Sequence, residues 1–66
     1  MDYFITIKSK FSDEEAQSLW HKIEHMKPNM LVAKELHVYG NAKESEVKDI
    51  LYECSKLGAD LQLNIK

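Results

Sequence analysis

The sequence lacks the features that mark several classes of protein. Its single cysteine, Cys54, cannot form an intrachain disulfide, as is typical of proteins in a reducing compartment. No apolar run approaches the ~20 residues that a membrane-spanning helix needs. Strand-like residues begin at Tyr3, so we expect no signal peptide. These absences predict a cytoplasmic protein with no disulfide framework and no membrane partner.

An excess of charge of one sign is also missing. The 11 acidic and 9 basic residues give a formal net charge of −2. This balance does not predict binding to nucleic acid or to anionic membranes from charge alone. The 66 residues predict a single domain over 1–66, near the lower size limit for a core that folds without disulfides or metals.

Glycine and proline are scarce, so the few that occur mark the ends of elements. Ser12 and Glu15 have the spacing of a capping box, which predicts a first helix over Asp13–Met26 that ends before Pro28. A second apolar stripe at helical spacing follows later in the chain.

The second helix has two candidate starts and one candidate end. Asn41 with Glu44 has the spacing of a second capping box, and Ser45 is a later alternative. Gly58 follows the last apolar position of the stripe, so we expect it to adopt the left-handed C-cap conformation.

Three strands are predicted from alternating apolar and polar residues, over Tyr3–Lys8, Lys34–Tyr39 and Leu61–Ile65. A helix between successive strands favours parallel strands joined by right-handed crossovers. Because the strands alternate, both helices are expected on one face. The prediction is an α/β fold, a two-layer βαβαβ domain with a three-stranded parallel sheet in the order 1-2-3. Lys27–Ala33 begins as a turn, and its end is either loop or an early extension of the second strand.

One observation favours a different strand order. Strand 1 is more apolar than strand 2, although the central strand of a sheet is usually the most apolar. The alternative order is 2-1-3 with a helix on each face. That order would bury polar residues of the strands under a helix, at a cost of roughly 1–3 kcal/mol for each unsatisfied group.

The apolar positions of the strands and helices are expected to form one core. The predicted core consists of Ile5, Ile7, Leu19, Trp20, Ile23, Leu36, Val38, Val47, Ile50, Leu51, Cys54, Leu57, Leu61 and Leu63.

The opposite side of the sheet is the first candidate site. Its predicted residues are Phe4, Thr6, Glu35, His37, Tyr39, Gln62 and Asn64. We expect this face to mediate association with a second copy or with another protein. An ordinary solvated face is one alternative, and base stacking on the aromatic side chains is another, which the acidic net charge does not favour.

The carboxyl ends of the strands are the second candidate site. In open parallel sheets, ligands bind at this edge next to helix N-termini. Lys8, Lys10, Asn41 and Lys43 would gather there and could hold a phosphate, which makes an anion-, nucleotide- or nucleic-acid-binding domain the alternative function.

No catalytic residue, cofactor or metal site is predicted. His21 and His25, with Glu24 between them, fit the H-x-x-E-H pattern of inverted zinc proteases. A chain of this length offers neither a third ligand nor a substrate cleft, so we expect both histidines to be exposed helix residues. Cys54 lies in the apolar stripe of the second helix and is expected to be a buried, unreactive thiol. We therefore expect a non-enzymatic interaction module that self-associates through the open sheet face.

Overall fold

The apolar first strand, β1 (Asp2–Ile7), lies in the interior of the sheet rather than at its edge. The structure, a computed structural model, describes residues Met1–Lys66. The elements in chain order are β1 (Asp2–Ile7), α1 (Asp13–Ile23) with a 3₁₀ turn (Glu24–Met26), β2 (Asn29–Val32), β3 (Leu36–Asn41), α2 (Glu44–Leu57) and β4 (Leu61–Ile65).

The strands form one four-stranded sheet in the order β2-β3-β1-β4, and each neighbouring pair is antiparallel. Ile5 lies at the centre of the register, opposite Val38 on β3 and Leu63 on β4. Both helices pack on one side of the sheet, where their apolar residues join those of β1 and β3 in one core. The fold is α+β, with the βαββαβ element order of ferredoxin-like, split βαβ domains.

The predicted three-stranded parallel sheet is therefore wrong. The sequence pattern missed β2, which forms a hairpin with β3 through a turn at residues 33–35. In that turn, the Ala33 N–H donates to the Glu35 carbonyl at 3.2 Å. The turn contains no glycine and no Asn-Gly pair, the residues that usually indicate a tight hairpin.

The three predicted strands are not parallel, since β1 is antiparallel to both β3 and β4, and the crossover rule holds only between β1 and β2 and between β3 and β4. β1 and β2 are both antiparallel to β3, so they run parallel to each other, as the rule expects of strands joined by a helix. However, β3 is inserted between them, and β1 is inserted between β3 and β4 in the same way. The two strands joined by each helix are thus parallel, but a strand of the other βαβ unit lies between them. All neighbouring strands are therefore antiparallel.

The apolar composition of the first strand was the better guide to strand order. Without β2, the observed order of the predicted strands is 2-1-3, which is the alternative order. For parallel strands that order requires a helix on each face, which would bury the polar residues of the strands. Antiparallel pairing removes that requirement, so the polar residues of the strands stay uncovered while β1 is central.

The first helix begins where the sequence predicts. The Glu15 N–H donates to Ser12 Oγ at 3.1 Å, and the Ser12 N–H donates to Glu15 Oε1 at 3.0 Å, which confirms the capping box. The α-helix ends at Ile23, three residues before the predicted end, and continues to Met26 as a 3₁₀ turn.

The second helix has a different N-cap from those predicted, and it ends at the predicted residue but in a different conformation. Lys43, rather than Asn41 or Ser45, is the N-cap, and its N–H donates to Glu46 Oε1 at 3.3 Å. The Asn41 side chain donates instead to Asp2 Oδ1 at 2.6 Å. Gly58 ends the helix in an extended conformation, with φ −174° and ψ 152°, so the predicted left-handed C-cap is wrong.

Gly58 is required by close packing rather than by its backbone conformation. A Cβ atom at this position would overlap Cβ and Oγ of Ser9, whose hydroxyl accepts a hydrogen bond from the Asp60 N–H at 3.2 Å. Ser9 Cβ is bonded to the backbone and cannot rotate away. The contact therefore needs a residue with no side chain at position 58.

Substitution of Gly58 tests this contact. We expect Gly58→Ala to lower the free energy of unfolding by about 1–3 kcal/mol because the new methyl group overpacks the site. Urea titration followed by circular dichroism measures the loss. Ser9→Gly in the same chain should recover part of it by making room for the methyl group. If the stability losses of Gly58→Ala and Ser9→Gly simply add in the double variant, the residues at positions 9 and 58 are not in contact.

The core contains most of the predicted residues, but the residues at its boundary differ from the prediction. Trp20, Leu51, Leu57 and Leu61 are only partly buried, and Leu63 is 38% exposed because β4 is an edge strand. Tyr3, Ala16 and Ala42 are buried but were not predicted. The buried apolar residues are Tyr3, Ile5, Ile7, Ala16, Leu19, Ile23, Leu36, Val38, Ala42, Val47, Ile50 and Cys54.

Candidate functional site

The face of the sheet opposite the helices carries a cluster of aromatic rings on its two central strands. Phe4 and Tyr39 are opposite each other in the β1–β3 register, and their rings stack with centroids 5.4 Å apart and planes 21° apart. The His37 ring lies 5.4 Å from that of Phe4, tilted by 42°. Cross-strand aromatic pairs of this kind stabilise a sheet by roughly 0.5–1 kcal/mol, so they also order the surface that they form.

A polar contact holds the histidine of this cluster. Thr6 and His37 are opposite each other, and Thr6 Oγ1 and His37 Nδ1 share a hydrogen bond of 3.2 Å. Thr6 is only 8% exposed, although it lies on the uncovered side of the sheet. The neighbouring side chains therefore pack closely enough to cover it.

The sheet-lining residues Phe4, Thr6, Leu31, His37, Tyr39, Gln62 and Asn64 are called the open face below. Its apolar side chains remain accessible, with Phe4 40%, Tyr39 36% and Leu31 53% exposed. Leu31 lies opposite His37 on β2 and extends the cluster toward that edge. Sequence reasoning missed Leu31 because β2 was not recognised, although the apolar run Met30–Val32 was the available signal.

The structure brings together six of the seven residues predicted for this face. On β4, Gln62 lies opposite Thr6, and Asn64 lies opposite Phe4, so amides flank the aromatic cluster. Glu35 lies in the β2–β3 turn, outside β3, and is half-buried. Asp2, at the start of β1, is the one carboxylate among the strand positions on this side of the sheet, and none of these positions carries a lysine.

A depression of about 470 Å³ lies at one end of the open face. Phe4 and Tyr39 contribute apolar surface to its lining, and the polar groups come from Asp2, Asn41, Asn64 and Lys66. It combines apolar and polar groups in a shallow surface, as protein interaction surfaces do.

The four residues of the predicted anion site do not come together. Lys8 and Lys10 follow the end of β1, whereas Asn41 ends β3 and lies opposite Asp2 at the start of β1. Lys43 follows Asn41 at that same end. Antiparallel pairing sends the carboxyl ends of β1 and β3 to opposite edges of the sheet, so the edge that a parallel sheet would supply does not exist.

The helix histidines and the cysteine have the surroundings expected of structural residues. His21 Nδ1 lies 2.9 Å from Glu24 Oε2 in an exposed i, i+3 pair. No group of three or more metal-ligating side chains is present. Cys54 is fully buried, and burial, with a smaller contribution from Glu53, raises the pKa of its thiol to about 12.

Tyr3 is a buried polar residue under the sheet, on the helix side. It is 4% exposed, and its hydroxyl has no hydrogen-bond partner. Burial raises the pKa of Tyr3, and the nearby Cys54 and Glu46 raise it further. Gly40, with φ +155°, lies beside the ring, where a Cβ atom would be 3.4 Å from the Tyr3 hydroxyl oxygen.

No protein-family model, curated protein or solved structure matches this chain. None of its helices combines the length and the apolar character needed to cross a membrane. Function is therefore inferred from the chemistry of the surfaces described above.

Proposed function

We propose that this protein is a non-enzymatic interaction module that associates with a second copy through its open face. The observation that carries the proposal is the exposed cluster of Phe4, Leu31 and Tyr39 around the half-buried His37. These side chains lie on three adjacent strands, so they form one continuous surface. Burial of such a surface removes apolar area from water, which is the main driving force for association.

The charge pattern favours an identical partner. Uncharged amides and hydroxyls flank the aromatic cluster, and the two charged residues at its end, Asp2 and Lys66, are of opposite sign, so two copies can meet without placing like charges at the centre of the interface. A two-fold interface requires this kind of self-complementarity, because the same patch supplies both sides. Sheets that stack face to face lie ~10 Å apart, with interdigitated side chains that Phe4, Leu31 and Tyr39 would supply.

The size of the face sets the expected affinity. Strands of four to six residues spaced ~4.8 Å apart give a face of about 19 Å across the strands and up to about 20 Å along them, so that two stacked copies remove on the order of 1,000 Å² from water. This area lies at the lower limit of stable interfaces. We therefore expect a dimer that forms reversibly at about micromolar concentration and above.

Association also suits the small core. Only 14 of the 66 residues are buried, and a domain of this size is marginally stable by itself. A partner that binds the folded state alone adds stability by mass action. The dimer should thus melt at a higher temperature as the protein concentration rises.

Sedimentation of an open-face variant tests the proposal. We expect the 7.7 kDa chain to shift from monomer toward dimer across a concentration series, and Phe4→Ser with Tyr39→Ser to remain monomeric because the aromatic cluster is lost. Tyr52→Ser is the matched control, since Tyr52 is 62% exposed on α2 and lies away from the open face. It should dimerise like the parent chain.

Two outcomes would contradict the proposal. A parent chain that is monomeric at millimolar concentration has no interface of this kind. A serine double variant that still dimerises, with its circular dichroism spectrum unchanged, would place the interface elsewhere.

Single-stranded nucleic acid is the second candidate ligand for the same face. Aromatic residues on both central strands of a four-stranded sheet are the arrangement by which RNA-recognition motifs stack bases. The net charge of −2 opposes it, and all nine basic residues are lysines, so no arginine is available for phosphate contacts or stacking. Fluorescence anisotropy of labelled oligonucleotides at low salt distinguishes the two candidates. Only a nucleic-acid-binding face predicts that the oligonucleotide binds to the parent chain and not to the Phe4→Ser and Tyr39→Ser double variant.

We place the proposed module in the cytoplasm. A single thiol that is buried and unpaired supports a reducing compartment, where disulfides are rare.

A further inference from the structure

A second apolar surface lies at the β2 edge of the molecule, on the helix side of the sheet. A groove of about 390 Å³ runs between α1 and β2. Its apolar lining comes from Ala16 and Trp20 of the helix and from Met30 and Val32 of the strand. Asp13 and Gln17 complete the lining. This groove shares no residue with the open face.

The groove adjoins a free strand edge. β2 pairs with β3 alone, so alternate residues of β2 direct their backbone N–H and C=O groups away from the sheet. Leu31 and Val32, which point to opposite sides of the strand, are 53% and 50% exposed. The edge therefore offers unpaired backbone groups with apolar side chains both above and below them.

We propose that this edge binds an extended peptide segment of a partner protein, which adds to β2 as a fifth strand. In this mode of recognition, backbone hydrogen bonds supply affinity, and pockets for alternate side chains supply specificity. The groove against Trp20 is the pocket that would receive an apolar side chain of the added segment. This inference does not depend on the open face or on self-association.

Charge complementarity indicates the rest of the partner's chemistry. Asp13 is the only charged side chain that lines the groove. The register places Ile7, at the end of β1, level with Val32, at the end of β2, because both lie opposite Leu36 on β3. Since α1 begins shortly after Ile7, its first residue, Asp13, lies toward the Val32 end of β2. Residues two apart on an added strand point to the same side at a spacing of ~6.8 Å. A lysine two positions from the apolar residue would therefore reach toward Asp13.

Tryptophan fluorescence gives a direct readout, because Trp20 is the only tryptophan of the chain and lines the groove. The probe is the peptide acetyl-Ser-Lys-Val-Leu-Val-Lys-Ser-amide, which places lysine two positions from leucine in either strand direction. We expect a saturable change in Trp20 emission and slowed amide exchange along β2. Replacing both lysines of the peptide with glutamates should weaken binding by about tenfold. Methylating alternate backbone nitrogens should abolish it.

A pair of protein variants provides the matched control. Val32 and Ile65 are 50% and 46% exposed and lie on the helix side of the two opposite edge strands. Val32→Lys should weaken peptide binding by at least about tenfold, since it places a positive charge in the groove. Ile65→Lys should leave binding unchanged. The Phe4→Ser and Tyr39→Ser double variant should also bind, which separates this site from the open face.

Three results would overturn the inference. One is the absence of any saturable Trp20 response to the lysine peptide up to 2 mM. Another is an equal loss of binding in the Val32→Lys and Ile65→Lys variants. The third is a Trp20 response without protection of the β2 amides, because it would show groove binding without strand addition.

Discussion

Replacing Ile5 with alanine is expected to lower the free energy of unfolding by about 2–5 kcal/mol and to leave much of the chain unfolded at room temperature. Ile5 is fully buried in a central strand, between Val38 and Leu63. A chain of 66 residues has a total stability of only roughly 3–10 kcal/mol, so this one truncation removes a large share of it.

The matched control for this variant is Leu63→Ala. Leu63 lies opposite Ile5 but is 38% exposed on the edge strand, so its truncation should cost about 1 kcal/mol or less. Urea unfolding followed by Trp20 fluorescence and by circular dichroism measures both variants. Equal losses at the two positions would contradict the placement of β1 inside the sheet and of β4 at its edge.

Alkaline pH is expected to destabilise the protein through Cys54. Burial, together with Glu53, raises the pKa of this thiol from 9.0 to about 12. Above pH 9.0 the unfolded chain therefore loses the thiol proton while the folded chain keeps it. The unfolded state binds fewer protons in this range, so stability falls as the pH rises.

The size of the effect follows from the pKa shift. Each pH unit between the two pKa values costs about 1.4 kcal/mol, or on the order of 4 kcal/mol over the whole interval. The raised pKa of Tyr3 adds a loss of the same sign above pH 10.0. Urea unfolding at pH 8 to 11 measures the slope, and Cys54→Ala should reduce it even though the variant is less stable at neutral pH. Identical slopes for the two chains would show that the buried thiol does not set the alkaline limit.

The composition of the open face could be predicted without knowing the direction of any strand. Side chains alternate across a strand, so Phe4 and Thr6, His37 and Tyr39, and Gln62 and Asn64 each point away from the apolar side. Whether two strands run parallel or antiparallel does not change this. Residues outside that alternation were harder to place, as Glu35 in the turn and Leu31 on the unrecognised strand show.

The four residues of the predicted anion site do not lie together, because their grouping depended on strand direction. Lys8 follows β1, and Asn41 is the last residue of β3. Their separation to opposite edges follows only from the antiparallel register of β1 and β3. Local pattern contains no information about which end of one strand meets which end of another.

The sequence by itself determined the elements whose signals are local. The capping box of Ser12 and Glu15, the apolar stripes of α1 and α2, and the alternation of β1 and β3 are set by neighbours a few residues apart. Only the tertiary structure decided the β2–β3 hairpin, the interleaved order β2-β3-β1-β4 and the groove beside Trp20. These features depend on backbone pairing between segments that are distant in the sequence. The energy of that pairing is distributed over many residues, so no single residue indicates it. Gly58 is an example at a single position. Only a glycine fits there because Ser9, which is distant in the sequence, occupies the space that a Cβ atom would need.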